Sequence, residues 1–387
     1  MLQIIHSYSL CSLIRLNLDK SSFLRINSCR GGPFLVKEVS EQKILGLHVA
    51  NKWTDMAKIT YSNIIGNIQF QLSNNRIRNM NIHAKALYLN TFILSKLWYI
   101  AQVIPPSNLQ LGKMKAAIGK FLWGNSVFKV DRNQLHLRCE DGGIGLVDVE
   151  SKCKALFMKN ILYDQSGNNN ANEEYLLKLN HLSHLSRNGK EWIIEAKFLK
   201  QNFDLKSVML MYWYFIDSKC VVPKVEINFP LVQWENIWEN IKSCFLSMED
   251  KSRLYFFVND LIPNKEKLLS YGIGRLQSSN CDICSLPDDN KHRIIACKNA
   301  HQVWAWVNEV LRKHLKLKFS NAESILAWKV NPKNQRQKAA LWIVCRAISY
   351  NLFREGDLFN LKKQVREMRW NNRHVFRRHF GKYCNFN

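Results

Sequence analysis

For 75 consecutive residues, 56–130, the chain carries no aspartate or glutamate, yet Lys58, Arg76, Arg78, Lys85, Lys96, Lys113, Lys115, Lys120 and Lys129 all fall inside that stretch. A helix built there cannot use the i,i+4 carboxylate–ammonium pairs that support an ordinary solvated face. Apolar packing has to hold it, and its cations need partners from elsewhere. A polyanion is one such partner, because each phosphate neutralised by Lys or Arg releases condensed counterions. The whole chain has the same bias: 56 basic against 31 acidic residues give a formal charge of +25 over 387 residues. A surface of that sign attracts nucleic acid first and anionic membranes second.

Apolar content decides between a folded and a disordered basic chain. Hydrophobic residues make up 47% and charged residues 22% of the sequence, enough to build a core. Only 16 Gly and 8 Pro, without a triplet period, exclude a collagen-like chain. The length fits two to three domains. The longest helix candidate covers residues 83–103; Pro105-Pro106 ends it and Ser107 can cap the next, which runs towards Trp123. A membrane span over residues 84–104 would bury Lys85 and Lys96, at ~2.5–3.5 kcal/mol each at mid-bilayer. A buried core helix is the expectation, with no transmembrane helix and no membrane partner. Residues 1–20 lack the basic start and continuous apolar run of a signal peptide. Eleven cysteines, an odd number, suit reduced thiols in the cytoplasm or nucleus.

Elsewhere the pattern is mainly α. Short apolar runs at residues 34–37 and 43–49 flank the polar stretch 38–42 and predict a small β-hairpin. Residues 53–165 read as helical, except for a short extended element at 135–149 with a turn at Asp141-Gly142-Gly143. Residues 166–172, Ser-Gly-Asn-Asn-Asn-Ala-Asn, read as a linker. Trp234, Ile237, Trp238, Ile241 and Phe245 follow helical spacing, so one face there must be covered, by the protein itself or by a partner. Residues 302–317 and 338–353 are further helix candidates. From Leu361 onwards eight basic residues face Glu367 alone. Trp98, Tyr99, Phe121 and Trp123 could stack on bases, although their helical spacing favours the core.

Cys281, Cys284, His292 and Cys297 form a C-x2-C-x7-H-x4-C pattern. Two intervening residues let one tight turn bring both thiolates to a tetrahedral ion, and the following segment can close the site. Four protein ligands leave no open position, so a zinc ion there would be structural. The spacing alone leaves His301 as an alternative to His292. Asp288-Asp289, between the ligands, reads as a solvated loop pair. Gly142-Gly143-Ile144-Gly145 lacks the Lys-Ser/Thr of a phosphate-binding loop and reads as a turn. No catalytic constellation emerges from spacing.

Taken in order, several segments resemble the C-terminal half of a LINE-type (non-LTR) retrotransposon reverse transcriptase. Residues 12–21 are similar to the Ser-Gly-Leu-x-Leu-Asn-x-x-Lys-Ser segment that follows the polymerase centre, with Leu13 where the family has glycine. Lys43-Ile44-Leu45-Gly46 is similar to its primer-gripping hairpin. Leu94-Ser95-Lys96-Leu97-Trp98-Tyr99, Val103-Ile104-Pro105-Pro106, Phe121-Leu122-Trp123-Gly124, Gly142-Gly143-Ile144-Gly145-Leu146 and Lys152-Cys153-Lys154-Ala155-Leu156 are similar to its thumb. Leu261-Ile262-Pro263-Asn264, the cysteine pattern and Val303-Trp304 are similar to the zinc-binding module that follows, and this selects His292 as the fourth ligand.

The resemblance implies a palm remnant with a β-hairpin at 1–52, a helical thumb-like bundle at 53–165 and a linker with a helical middle region at 166–254. It further implies a zinc-binding module at 255–310 and a basic helical C-terminal region at 311–387. The family's Ala-Asp-Asp metal-binding motif occurs nowhere in the chain. The expectation is a truncated reverse-transcriptase-like protein, not an enzyme on its own. Its retained activity would be largely sequence-independent binding of RNA or DNA, with Arg76, Arg78, Lys85, Lys96, Lys113 and Lys120 as contacts. The alternatives are part of an active RNA-directed DNA polymerase whose palm lies upstream, or a structural interaction protein with no nucleic-acid role.

Overall fold

The computed structural model describes residues 11, 17, 20–25, 36–50, 53–75, 80–124, 129–162, 187–202, 207–219, 221–242, 247–272, 277–317, 329–331, 334–353, 358 and 361–363. The fold is mainly α with a small N-terminal β element. Two compact units interleave along the chain. One comprises Met1–Arg78, Tyr88–Val127 and Val147–Ser218; the other comprises Asn79–Leu87, Phe128–Leu146 and Lys219–Asn387. The linker expectation at 166–172 and the basic tail beyond residue 363 lie outside the described residues.

In the first unit, β1 (Ser22–Leu24) pairs in parallel with β2 (Lys37–Val39), and β3 (Glu41–Ile44) pairs antiparallel with β4 (Leu47–Ala50). The hairpin therefore sits wholly inside 41–50, not around the polar stretch 38–42 as the apolar runs suggest. Its two-residue turn, Leu45-Gly46, has positive φ at both positions, 49° and 90°. That turn type matches the twist of paired strands, and its local geometry overrides the spacing of the apolar runs.

Helix α1 (Trp53–Asn75) buries Tyr61, Ile65, Ile68 and Leu72 along one face, and Met56 near its start. Residues 83–103 do not form one continuous α-helix, as the sequence suggests. They divide into α2 (Ile82–Tyr88), a π turn at Leu89–Ile93 and α3 (Ser95–Ala101). The π turn is closed by Leu94 N–H donating to Leu89 O at 2.8 Å. It carries Asn90, whose Oδ1 accepts from the Val147 backbone at 3.0 Å. Pro105-Pro106 ends the run as expected, and Ser107 opens α4 (Asn108–Trp123) with a reciprocal capping box to Gln110. Tyr61 Oη donates to Ile104 O at 2.6 Å, tying α1 to the end of this run. Between them, α1 and α4 bury Leu111, Met114, Ile118 and Phe121. At this level the acid-free segment is held by apolar packing and helix capping.

The stretch 135–149, of which 135–146 belong to the second unit, forms no β-strand, although Leu137 and Arg138 are extended. It contains the end of α5 (Arg132–His136) and a 3₁₀ turn at Cys139–Asp141, which closes on Gly142 at φ 82°. A Cβ at Gly143 would lie 2.1 Å from Leu137 O, so only glycine fits there. Helices α6 (Val149–Leu162), α7 (Arg187–Asn202) and α8 (Val208–Asp217) belong to the first unit. After the short α9 (Lys224–Asn228), α10 (Trp234–Lys242) buries Ile237, Trp238 and Ile241. Trp238 Nε1 donates to Glu226 at 2.6 Å. The apolar face of α10 packs on the 139–141 turn and on α11 (Met248–Val258). That face is thus covered by the protein itself, and no partner is needed to cover it; Phe245 lies outside the described residues.

Helices α12 (Lys265–Ser270), α13 (Lys298–His314) and α14 (Gln335–Phe353) complete the unit. Among the described residues, the ion pairs Arg346–Asp250 at 3.0 Å and Arg293–Asp288 at 2.5 Å are largely buried within it. Among the described residues, no helix is long and apolar enough to cross a membrane.

Candidate metal centre

The site is assembled from three short backbone devices. First, the stretch before it is anchored: buried Asn264 caps α12 by accepting from Lys267 N–H at 2.9 Å, and its amide donates to Asn290 at 3.0 Å. Second, a knuckle brings the first two cysteines together. Cys281 N–H donates to Leu286 O at 2.8 Å and Ser285 N–H to Cys281 O at 2.9 Å, with Asn280 and Pro287 bridged behind them. Ser285 takes the left-handed conformation, φ 58°, that so tight a reversal requires.

Third, a π turn at His292–Ala296 supplies the other half. Cys297 N–H donates to His292 O at 2.8 Å, a bond between residues five apart. At ~3.6 residues per turn, an α-helix would set such residues roughly 140° apart around its axis. The wider π turn completes a circuit between them, which is how a four-residue gap places both side chains on one side. Asp289 Oδ1 accepts from His292 N–H at 2.5 Å and fixes the start of the turn.

These devices place Cys284 Sγ 3.1 Å from His292 Nε2 and Cys281 Sγ 4.0 Å from Cys297 Sγ. All four ligand atoms lie within 4.8 Å of one another. A tetrahedral ion with metal–sulfur bonds of ~2.3 Å and a metal–nitrogen bond of ~2.0 Å needs S···S of about 3.8 Å and S···N of about 3.5 Å. The group can hold a metal ion with only small adjustments. Cys281, His292 and Cys297 are buried and Cys284 is half-buried.

The electrostatics point the same way. Burial opposes ionisation of Cys281, but the Ile283 N–H at 3.4 Å and hydrogen bonds from His292 and Cys284 outweigh it, and its pKa falls to about 6. Burial and the charge of Cys281 hold Cys297 above the ordinary thiol range, despite the N–H groups of Asn299 and Ala300 at the start of α13. One thiolate discourages its neighbour. A divalent cation placed between them would remove that repulsion.

His301 is exposed on α13 and takes no part in the group, so the histidine ambiguity left by the spacing resolves to His292. The aspartate pair differs from expectation. Asp288 is fully buried, its carboxylate bound by Nε and Nη2 of Arg293 at 2.9 and 2.5 Å, while Asp289 caps the π turn. An aspartate pair looks solvated when only its neighbours in sequence are weighed. Arg293, five residues on, was the available signal.

The expected nucleic-acid contacts fall into three groups. Lys96, Lys113 and Lys120 are exposed on the first unit. Lys113 and Lys120 lie on the outer stripe of α4 with Leu109, Gly112 and Ala116, and neither forms an ion pair among the described residues. Lys96 Nζ donates to Gln71 at 2.6 Å. Lys85 is half-buried and belongs to the second unit. Arg76 and Arg78 lie outside the described residues. Lys115, from the same acid-free segment, reaches beyond it to Glu150 at 2.5 Å. Of the four aromatic candidates, Phe121 is buried, Trp98 and Trp123 are half-buried, and Tyr99 is exposed.

Compared with known proteins, the chain matches no family model and no curated protein.

Proposed function

We propose that this protein binds RNA or DNA through sequence-independent phosphate contacts, and that its Cys281–Cys284–His292–Cys297 group is a structural zinc knuckle. The reading follows from the resemblance to the post-catalytic half of LINE-type reverse transcriptases. One structural observation carries it furthest: the outer stripe of α4 offers Lys113 and Lys120 to solvent, within a segment that has no carboxylate for 75 residues. Gly112 and Ala116 beside them keep the stripe low, so a phosphate backbone can approach closely. Lys96 on α3 adds a third exposed cation.

Zinc suits the second site because three thiolates and an imidazole in a closed tetrahedral set are its preferred donors. With all four positions taken by protein, the ion would supply folding energy to a loop with little core of its own. The chain carries no Ala-Asp-Asp, so the isolated polypeptide is not expected to extend a primer.

The test is fluorescence anisotropy of labelled single- and double-stranded RNA and DNA against salt concentration. Affinity should fall linearly with log salt, each neutralised phosphate adding about 0.7 (single strands) to 0.9 (duplex) to the slope. Lys96→Gln/Lys113→Gln/Lys120→Gln should flatten that slope by about 2 to 3. Binding that is indifferent to salt, or unchanged in the triple variant, refutes this surface as the contact.

A further inference from the structure

Asp288 and Arg293 stand outside the ligand set yet hold both halves of it. Asp288 Oδ2 accepts from the Lys265 backbone N–H at 3.1 Å, the first residue of α12, and its own N–H donates to Ser279 O at 2.9 Å, just before the knuckle. Arg293 lies inside the π turn, directly after ligand His292. Besides gripping both carboxylate oxygens of Asp288, it donates from Nη1 to Leu352 O at 3.1 Å, in the last turn of α14. Terminal carbonyls of a helix have no partner within it and favour a cation. The two side chains therefore join the start of α12, the knuckle loop, the π turn and the end of α14. Relative exposures of 12% for Arg293 and 0% for Asp288 limit the competition from water for these bonds.

We infer that the Asp288–Arg293 pair is a positioning element: it sets the knuckle and the π turn at ligand distance from each other, and through Leu352 it couples metal occupancy to the end of α14. This rests on the reading of the four-residue group as a metal centre. The geometry explains why a buried carboxylate lies between two ligands without being one. Asp288 can direct no oxygen to the ion while both oxygens are held by Arg293. Metal entry bonds Cys281 and Cys284 to the same ion as His292 and Cys297, across the same gap that the ion pair already spans. The pair thus limits the ordering left for the metal to impose, and metal in turn keeps Arg293 seated against α14.

The experiment uses the full chain loaded with zinc or cobalt. Zinc affinity is measured by competition with a chromophoric chelator, and coordination by the cobalt thiolate absorption. Two variants are compared with wild type: Arg293→Gln, which takes the guanidinium away from Asp288, and Asp288→Asn/Arg293→Gln, which removes both charges and guards against misfolding from a buried carboxylate without its cation. Far-UV circular dichroism checks that each is folded. Both should keep one metal per chain and the tetrahedral cobalt spectrum, yet bind zinc about tenfold or more weakly, the range seen for residues that orient ligands from behind. In wild type, removing zinc should speed amide exchange in the last turn of α14. In the double variant that turn should exchange fast with or without zinc. Equal zinc affinity in a folded double variant overturns the inference while leaving the metal centre intact. A wild-type chain that takes up neither zinc nor cobalt overturns the metal reading and the inference together.

Discussion

The acid-free helices of the first unit and the cysteine module of the second solve opposite electrostatic problems. In the module, the buried Asp288 meets Arg293, and in the same unit Asp250 meets Arg346. On the outer face of α4, Lys113 and Lys120 stand in solvent without a carboxylate among the described residues. A buried charge has to find its partner inside the fold, because leaving it unpaired costs several kcal/mol. An exposed lysine pays no such penalty and can wait for an external partner. Substitutions in the two regions should therefore be read by different instruments, stability for one and binding for the other.

The largest effect should come from the metal. Structural zinc in small modules is worth about 10–16 kcal/mol of apparent binding energy at neutral pH. Purified chain should contain one zinc, and Cys281→Ser or a strong chelator should release the amide protection of Ser285 and Cys297. Metal analysis finding no zinc would end that claim. Next comes the second buried pair. Asp250→Asn removes the carboxylate paired with Arg346, whose side chain is 11% exposed, and should cost about 3–5 kcal/mol in urea unfolding. Removing Glu140, whose pair with Lys242 is exposed, should cost no more than about 1 kcal/mol. Similar losses for the two would erase the contrast between buried and surface charge.

His83 gives an intermediate effect that depends on pH. Burial, and then the charge of Lys251, lower its pKa to about 4. It lies 2.7 Å from Ser252 Oγ through Nδ1. The Ser252 hydroxyl has one proton, directed at Met248 O or Asn81 Oδ1, at 2.9 and 3.2 Å. The direction of the His83–Ser252 bond follows the imidazole tautomer, and burial favours the neutral ring. The unfolded chain takes up a proton near pH 6.5 and the folded chain only near 4. Stability is complete above 6.5 and falls as pH drops between these values, by roughly 3 kcal/mol in all. Urea titrations at pH 7.5 and 5 should show the loss, and His83→Gln should remove that share of the pH dependence.

The smallest change in stability belongs to the lysines. Lys113→Gln and Lys120→Gln should each shift it by no more than about 0.5 kcal/mol, while lowering nucleic-acid affinity at low salt. A large loss of stability without a loss of binding would reverse the assignment.

How far the sequence revealed these features depended on how local their causes are. Ser107 after two prolines starts a helix whatever surrounds it, and the buried face of α10 follows from spacing alone. C-x2-C is likewise a short-range device, and the ligand group came together as spacing proposed. The π turn at 89–93 could not be read that way, because the bond from Val147 to Asn90 closes across 57 residues. Burial of Asp288 also depended on distant chain, through Leu352. Nor does sequence order show that Lys85 and Lys96, eleven residues apart, belong to different units.

The wide turn that carries His292 also bears on which length changes the module can tolerate. Adding one residue among 293–296 would set the two ligands six apart, roughly 240° around an α-helix, and swing Cys297 away from the knuckle, whereas deleting one would leave them four apart, close to one α-helical face. An extra residue in the exposed stretch Ser285-Leu286 would only enlarge a reversal. The second half of the module should thus reject an added residue that the first accepts, an asymmetry that a set of single-codon insertions would expose.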